Sequence, residues 1–371
     1  MLSVRQFLPI LAALLVLLLF TRTSQQAWLD QHVYDIVGRY YPAAPAGSDQ
    51  VVLISIDADS INQFGGWPLD RALHASAIRT LTTYGAASIT YNLAFAERGA
   101  ASADSKLLQS VQASGRVVLP LIVEQGRERL PLGLMQLAGA SYAHADLPLD
   151  SDGVLRRHFL WAGVAYPRWP SLPVATLQLY PQKLMSHYPG LRTPYLHIGF
   201  SGRWSRDYEL LMPLGLTRRS EELVRFSLKQ LLGGEIDPGM IRGKAVFVGV
   251  SDARIEAPVR VAGQGAYFST RIQALMFDAL QQGHYLSPTL PLWSELLGAM
   301  VTCSLGFLLL LKLPAGLIWV CRSLVVMGLL LPLGLLLQGY WLSMLPTFAG
   351  MLAVLLTVTL SGRWKKQKSP E

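Results

Sequence analysis

Two carboxylates, Asp57 and Asp59, stand just after the apolar run Val51–Ile56 (VVLISI). If that run is a strand of an open parallel sheet, both lie beyond its carboxyl end, where such sheets bind ligands. There they can hold a cation or orient a polar ligand. The alternative is that Asp59 caps the next turn or helix and Asp57 pairs with Arg71. Trp67, Pro68 and Arg71 follow. Arg71 offers a planar fork for carboxylate or phosphate, and Trp67 a stacking face; the alternative is an Asp57–Arg71 pair with Trp67 packed over it. Asn92, at the end of the next strand-like run, is expected to face the same crevice. Its amide can hydrogen-bond but cannot act as a base. Asp57, Asp59, Trp67, Arg71 and Asn92 are therefore the candidate ligand-binding residues.

Asp150, Asp152, Gly153 and Arg156 form a second group (LDSDGVLRRHFL). Asp-x-Asp-Gly resembles part of a calcium loop, but the later Glu that completes such a loop is absent. A turn held by Asp side chains is the expectation. The seven His are scattered without paired metal spacing. Neither a Gly-x-Ser-x-Gly elbow nor a phosphate-cradling Gly-x-x-x-x-Gly-Lys-Ser/Thr loop occurs. The sequence points to no catalytic residue, metal or cofactor, and away from an enzyme.

The elements that position these groups alternate. The runs at 51–56, 87–95 and 116–123 read as strands, and 71–84 and 104–113 as helices. This β-α-β-α-β order implies a parallel sheet with helices packed on it. Pro120 inside the third run indicates an edge position or an early end. Further strands are expected at 141–144, 155–161, 195–200 and 245–250, and helices at 172–180, 221–232 and 270–282, the last stopped by Gly283.

The two ends of the chain are different. Residues 7–20 form one apolar segment, read as an uncleaved signal-anchor rather than a cleaved signal peptide. Segments 292–311, 317–337 and 340–360 follow the α/β region, separated by short turns. These predict four transmembrane helices. A helical pattern at 28–41 is expected to continue the first span outward. Lys and Arg collect on the cytoplasmic side of membranes. Arg5, the Lys312–Arg322 turn and the Arg363, Lys365, Lys366, Lys368 tail then fall on one side, with both termini, and the large domain on the other.

The 371 residues carry a formal charge of +8. Residues 22–290 hold 25 Lys and Arg against 22 Asp and Glu, a net of +3; the rest belongs to the membrane ends. No basic stripe interleaved with aromatics appears, which excludes a nucleic-acid partner. Both cysteines, Cys303 and Cys321, lie in or beside apolar segments, so the large domain is held by its core rather than by disulfides.

The stretch from Val51 to Phe95, the LDSDGVLRRHFL segment and GKAVFVGVSD resemble, in order, the CHASE2 domain, an extracytoplasmic sensory module of bacterial membrane receptors. The resemblance covers about residues 30–290, and three helices after the domain are also that family's arrangement. It departs in places. Members usually carry an Asp in the second strand, where this chain has Asn92. The segment after Asp252 reads Arg254-Ile255-Glu256-Ala257-Pro258, not the usual Asp and Thr-Pro, and Gly265-Ala266-Tyr267 is a loose match. Members usually continue into a cyclase or kinase domain; here a short basic tail follows Leu360.

The expected organisation is an N-terminal signal-anchor over 1–21, a periplasmic α/β domain over 22–290 and three transmembrane helices over 291–361. A cytoplasmic tail over 362–371 completes it, in a bacterial inner membrane. The expected function is a sensor that binds a periplasmic ligand or protein and signals through its helices to a separate protein. Homodimerisation fits such a role, and the lipid bilayer is a further partner. The alternative is a scaffold or docking subunit of an envelope complex that does not switch.

Overall fold

A computed structural model of the chain describes residues 4–40, 49–131, 140–180, 187–193, 203–214, 223–311 and 313–367. The expected strand at 195–200 lies outside them. Contacts divide the chain into two units: residues 38–285, and residues 1–37 with 286–371.

The first unit is built on a six-stranded sheet. In chain order its strands are β1 (Val51–Ile56), β2 (Ser88–Tyr91), β3 (Val117–Pro120), β4 (Ala140–Ala143), β5 (Val224–Ser227) and β6 (Ala245–Val250). Their spatial order is β5-β1-β6-β2-β3-β4, and every neighbouring pair is parallel. Strands buried on both faces need apolar residues at every position, and all six residues of β1 and of β6 are buried.

Alternation assigns the faces, because successive side chains of a strand point to opposite sides. Val52, Ile54, Ile56, Val246, Val248, Val117 and Leu119 share one core with helices α4 (Arg71–Thr83), α5 (Ala101–Ser114) and α7 (Leu228–Leu232). Val51, Leu53, Ala245 and Phe247 face the other way, onto α6 (Leu172–Gln178) and α8 (Ser269–Gln281). The result is a doubly wound α/β/α sandwich.

Helix α8 is buried on two sides. Ala274 and Phe277 meet the parallel sheet. Ile272, Leu275, Met276, Ala279 and Leu280 pack against Leu160, Leu210 and Val261. Those three partners lie outside the parallel sheet. Leu160 and Leu210 sit on the antiparallel strands Arg157–Val164 and Trp204–Leu211, and Val261 on Val259–Val261. The approach of α8 to the parallel sheet needs Gly249 in β6: a Cβ there meets the Thr270 Oγ1 at 1.9 Å.

Several expectations change. Pro120 is not at an edge, since β3 lies between β2 and β4; it marks the strand's early end. Of the helix expected over 221–232, residues 221–222 lie outside the described residues, and the rest holds a strand followed by a short helix. Val52 to Ser55 of β1 pair with Val224 to Ser227, and a capping box between Ser227 and Gln230 starts α7 only at Leu228. Sheet pairing overrides the helical spacing there.

The second unit contains α1 (Val4–Phe20), most of α2 (Ser24–Tyr40), α9 (Pro291–Leu310), α10 (Ala315–Leu337) and α11 (Leu345–Gln367). Helices α9 and α10 are long and apolar enough to cross a membrane; α1 with α2 makes a third only if the bent pair is one span. The apolar stretch Leu345–Leu360 of α11 is shorter. By length and composition, two or three spans are evident among the described residues rather than a clear four.

Helix α2 does not continue α1 straight outward, because the two are bent by 77°. The Thr21 and Thr23 hydroxyls donate to the Leu18 and Phe20 carbonyls. Thr23 Oγ1 accepts the Gln26 amide at 3.3 Å, which starts a new helix. Small residues permit close packing between apolar helices: a Cβ on Gly298 of α9 falls 2.8 Å from the Pro346 carbonyl carbon of α11. Ala13, Ala353 and Val354 form a buried contact between α1 and α11.

Candidate functional site: a cleft beyond the carboxyl ends of β1 and β2

The connection from β1 to β2 runs through α3 (Ala58–Gln63), a turn at Trp67–Pro68 and α4; the segment after β2 leads through Leu93–Ala100 to α5. These two loops enclose a cleft of about 290 Å³ whose lining includes Trp67, Arg71, His74, Phe95, Arg98 and Ala103. It lies beyond the strands' carboxyl ends, where open α/β sheets place their ligands. Asp70 caps α4 by accepting the Ala72 amide at 2.7 Å, which sets Arg71 and, one turn later, His74 toward the cleft.

Trp67 is 40% exposed and leaves its ring open to solvent. The peptide between Trp67 and Pro68 is cis. Arg71 is half-buried and spoken for: Nη1 donates to Asp104 Oδ1 at 2.8 Å, and Nη2 to the Glu97 carbonyl. Its guanidinium also sits 5.7 Å from the Phe95 ring centroid. Asp104 Oδ2 accepts the Gly99 amide at 3.0 Å, so one carboxylate fixes both the arginine and the loop.

His74 is 3% exposed and packs edge-on against Tyr91 and Phe95, with ring centroids 5.7 and 5.2 Å away. Burial, followed by the nearby Arg71 charge, lowers its pKa to about 4, so the ring is neutral at pH 7. Its Nδ1 is buried with no hydrogen-bond partner among the described residues. Arg98 is exposed and makes no hydrogen bond or ion pair among the described residues. The α5 N-cap is Ala100, which provides no side-chain acceptor; its carbonyl accepts the Ala103 and Asp104 amides at 2.9 Å.

The five residues singled out by sequence do not form one site. Trp67 and Arg71 share the cleft. Asp57 does not pair with Arg71; its Oδ1 accepts the Ser60 amide at 2.9 Å and caps α3, because the following helix needs that acceptor. Asp59 lies in the first turn of α3. Asn92 turns away from the cleft: its Nδ2 donates to Ser269 Oγ at 2.5 Å and Thr270 Oγ1 at 3.2 Å, at the start of α8. The residues missed were His74, Phe95, Arg98 and Asp104. The rule that ligands sit beyond strand ends points at 93–100 as much as at 57–71.

The Asp150–Arg156 segment is structural. Arg156 is buried and binds Asp150 Oδ2 at 2.9 Å and Asp152 Oδ2 at 2.7 Å. Next to β6, Arg254 clasps Asp252, with Nε 3.0 Å from both carboxylate oxygens, and holds that carboxyl below the usual range. No group of three or more metal-ligating side chains occurs among the described residues.

A doubly wound sheet with a small cleft at its strand ends, on a chain that also bears membrane-length apolar helices, defines a membrane-associated α/β protein. The CHASE2 domain matches residues 11–310, so the chain belongs to the CHASE2 family, whose members are extracellular sensory domains. No curated protein and no solved structure matches the chain.

Proposed function

We propose that this protein is a membrane-anchored sensor whose α/β domain faces the periplasm and binds a small ligand in the Trp67–Arg71 cleft. Ligand binding biases two arrangements of the domain, and the apolar helices pass the difference to a cytoplasmic protein. The observation that carries this reading is the cleft itself, a ligand-sized cavity at the sheet's binding edge within a sensory family. Four spans are supported by the mutual packing of α1, α9, α10 and α11. The orientation is supported by Arg5, Arg322, Arg363, Lys365 and Lys366, which four spans bring to one face. In this reading the protein is not an enzyme, sits in an inner membrane with both termini cytoplasmic, and works as a homodimer.

The test is photocrosslinking in living cells from positions 319 and 364, with residue 339 as the external control. A sensor gives one dominant cytoplasmic partner from 319 or 364 and none from 339. Absence of any partner at the first two positions removes the signalling reading.

A further inference from the structure

A second cavity lies among the apolar helices. Helices α9 and α10, both long and apolar enough to cross a membrane, wall a groove of about 440 Å³. Sequence spacing builds it. Trp293, Leu296 and Met300 recur on one face of α9, and Met327, Leu331 and Leu335 on one face of α10. Thr289 and Leu342 line the end nearest Trp293. Thr289 carries the one hydroxyl of the described lining, and it donates to the Trp341 carbonyl at 3.1 Å. The walls therefore offer an occupant hydrocarbon and thioether rather than a polar anchor.

Length selects the occupant. At about 1.5 Å per residue, Trp293 to Met300 and Met327 to Leu335 each cover about 10–12 Å of helix axis. A partner helix crossing the membrane needs about 30 Å of contact, the whole hydrocarbon core, whereas a lipid chain occupies one leaflet, about half of that. The groove ends where α9 and α10 close on each other, at Val301 and Gly328.

Composition agrees. Where helices of this unit meet, glycine lies at the contact: Gly306 faces Ile10, Gly328 faces Val301 and Gly350 faces Thr302. The described lining of the groove has no Gly, Ala or Ser. Its deep end carries Met300 and Met327, whose flexible side chains repack around varied apolar shapes. Its other end carries the exposed Trp293. An indole prefers the level where the bilayer's apolar core meets its headgroups.

We propose that this groove is a lipid site. It holds one acyl chain of a phospholipid from the leaflet at its Trp293 end, with the end of the chain between Met300 and Met327. An empty groove leaves its lining without dispersion partners, so a chain that fills it is held in preference to its neighbours. The site requires α9 and α10 to lie in a membrane and does not depend on the sensing role proposed above.

The experiment places the full chain in nanodiscs of phosphatidylcholine with a trace of the same lipid bearing a diazirine at the end of one acyl chain. After photolysis, peptide mass spectrometry maps the labelled residues. Met300, Met327 and Leu331 are expected to carry about fivefold more label than Leu330 and Leu333, which are exposed on α10 outside the groove, because a seated chain has contacts that a free one lacks. Met327→Trp fills the deep end and is expected to cut the label at Met300 and Leu331 about fivefold, by removing those contacts. Met327 is exposed, so the larger ring displaces no packed side chain. Leu330→Trp is expected to leave the groove's label unchanged.

Equal labelling inside and outside the groove overturns the proposal. So does a Met327→Trp protein labelled like the wild type. A groove left unlabelled while Leu330 and Leu333 are labelled has a protein occupant, and that result overturns it too. The sensor reading is judged by crosslinking from positions 319 and 364, so the two fail separately.

Discussion

Arg71 Nη1 donates to Asp104 Oδ1 at 2.8 Å, tying the start of α4 to the first turn of α5 across 33 residues of sequence. Both side chains are about 15% exposed, at 14% and 15%. The pair therefore lies between the weak surface bridges and the costly buried ones.

Asp104→Ala removes the partner of Arg71 and the acceptor for the Gly99 amide together. It is expected to destabilise the α/β domain by about 2 kcal/mol. Arg71→Ala in the Asp104→Ala background is expected to add much less than it does alone. Near-UV circular dichroism melts of the four variants check the coupling; additive losses contradict it.

Acid should weaken the domain through its buried histidines. His74, His144 and His158 have pKa values lowered to about 4, about 3 and about 4, chiefly by burial, from an ordinary 6.5. The unfolded chain takes up these protons near pH 6.5, whereas the folded domain does not until about pH 4. Stability is full above about 6.5 and falls as the pH drops toward 4, by about 1.4 kcal/mol per pH unit for each histidine at the steepest. Thermal midpoints between pH 7.5 and 4.5 read this; a flat profile rules it out.

His158 is the cleanest single test of that slope. It is fully buried on the strand Arg157–Val164 and neither ring nitrogen has a partner among the described residues. Asp146 is the charge that opposes the lowering of its pKa. His158→Leu removes an unsatisfied polar group at similar volume, so at pH 7.5 the domain keeps or gains stability. Its midpoint should also fall less steeply with acid than that of the wild type.

Gly249→Ala forces a methyl against Thr270, whose Oγ1 lies 1.9 Å from the added carbon. The expected loss is about 1–3 kcal/mol, typical of overpacking. Thr270→Ala removes the hydroxyl in the way and should restore part of it. A Gly249→Ala domain as stable as the wild type contradicts the contact between β6 and α8.

Among the apolar helices, Gly298→Ala meets backbone, since both the carbonyl carbon and the oxygen of Pro346 lie within 3 Å, at 2.8 and 2.9 Å. Backbone cannot rotate aside, so detergent-induced unfolding should occur earlier. Gly334→Ala has nothing within 4 Å of the new carbon and serves as the neutral comparison.

What the sequence disclosed depended on how local each determinant is. The strands β1 and β6 were legible because burial on both faces leaves an unbroken apolar run. Helix α8 was legible to within a residue at each end because Gly283 marks its stop. β5 was not: Val224 to Ser227 carries an ambiguous pattern that pairing with β1 resolves. The candidate site divided the same way. Trp67 and Arg71 stand near each other in sequence and share the cleft. Arg71's true partner, Asp104, sits on a helix whose own pattern records only helicity. Asp57 was placed correctly beyond its strand, but the needs of α3, three residues on, decided its bond.

The bend between α1 and α2 limits how these helices can move each other. Two rods meeting at 77° share little of any sliding motion, so a piston stroke along α2 is lost at Thr21–Thr23. Rotation is not lost: swinging α2 sideways twists α1 about its own axis. In the sensor reading the N-terminal connection would work as a crank, with torque as its output.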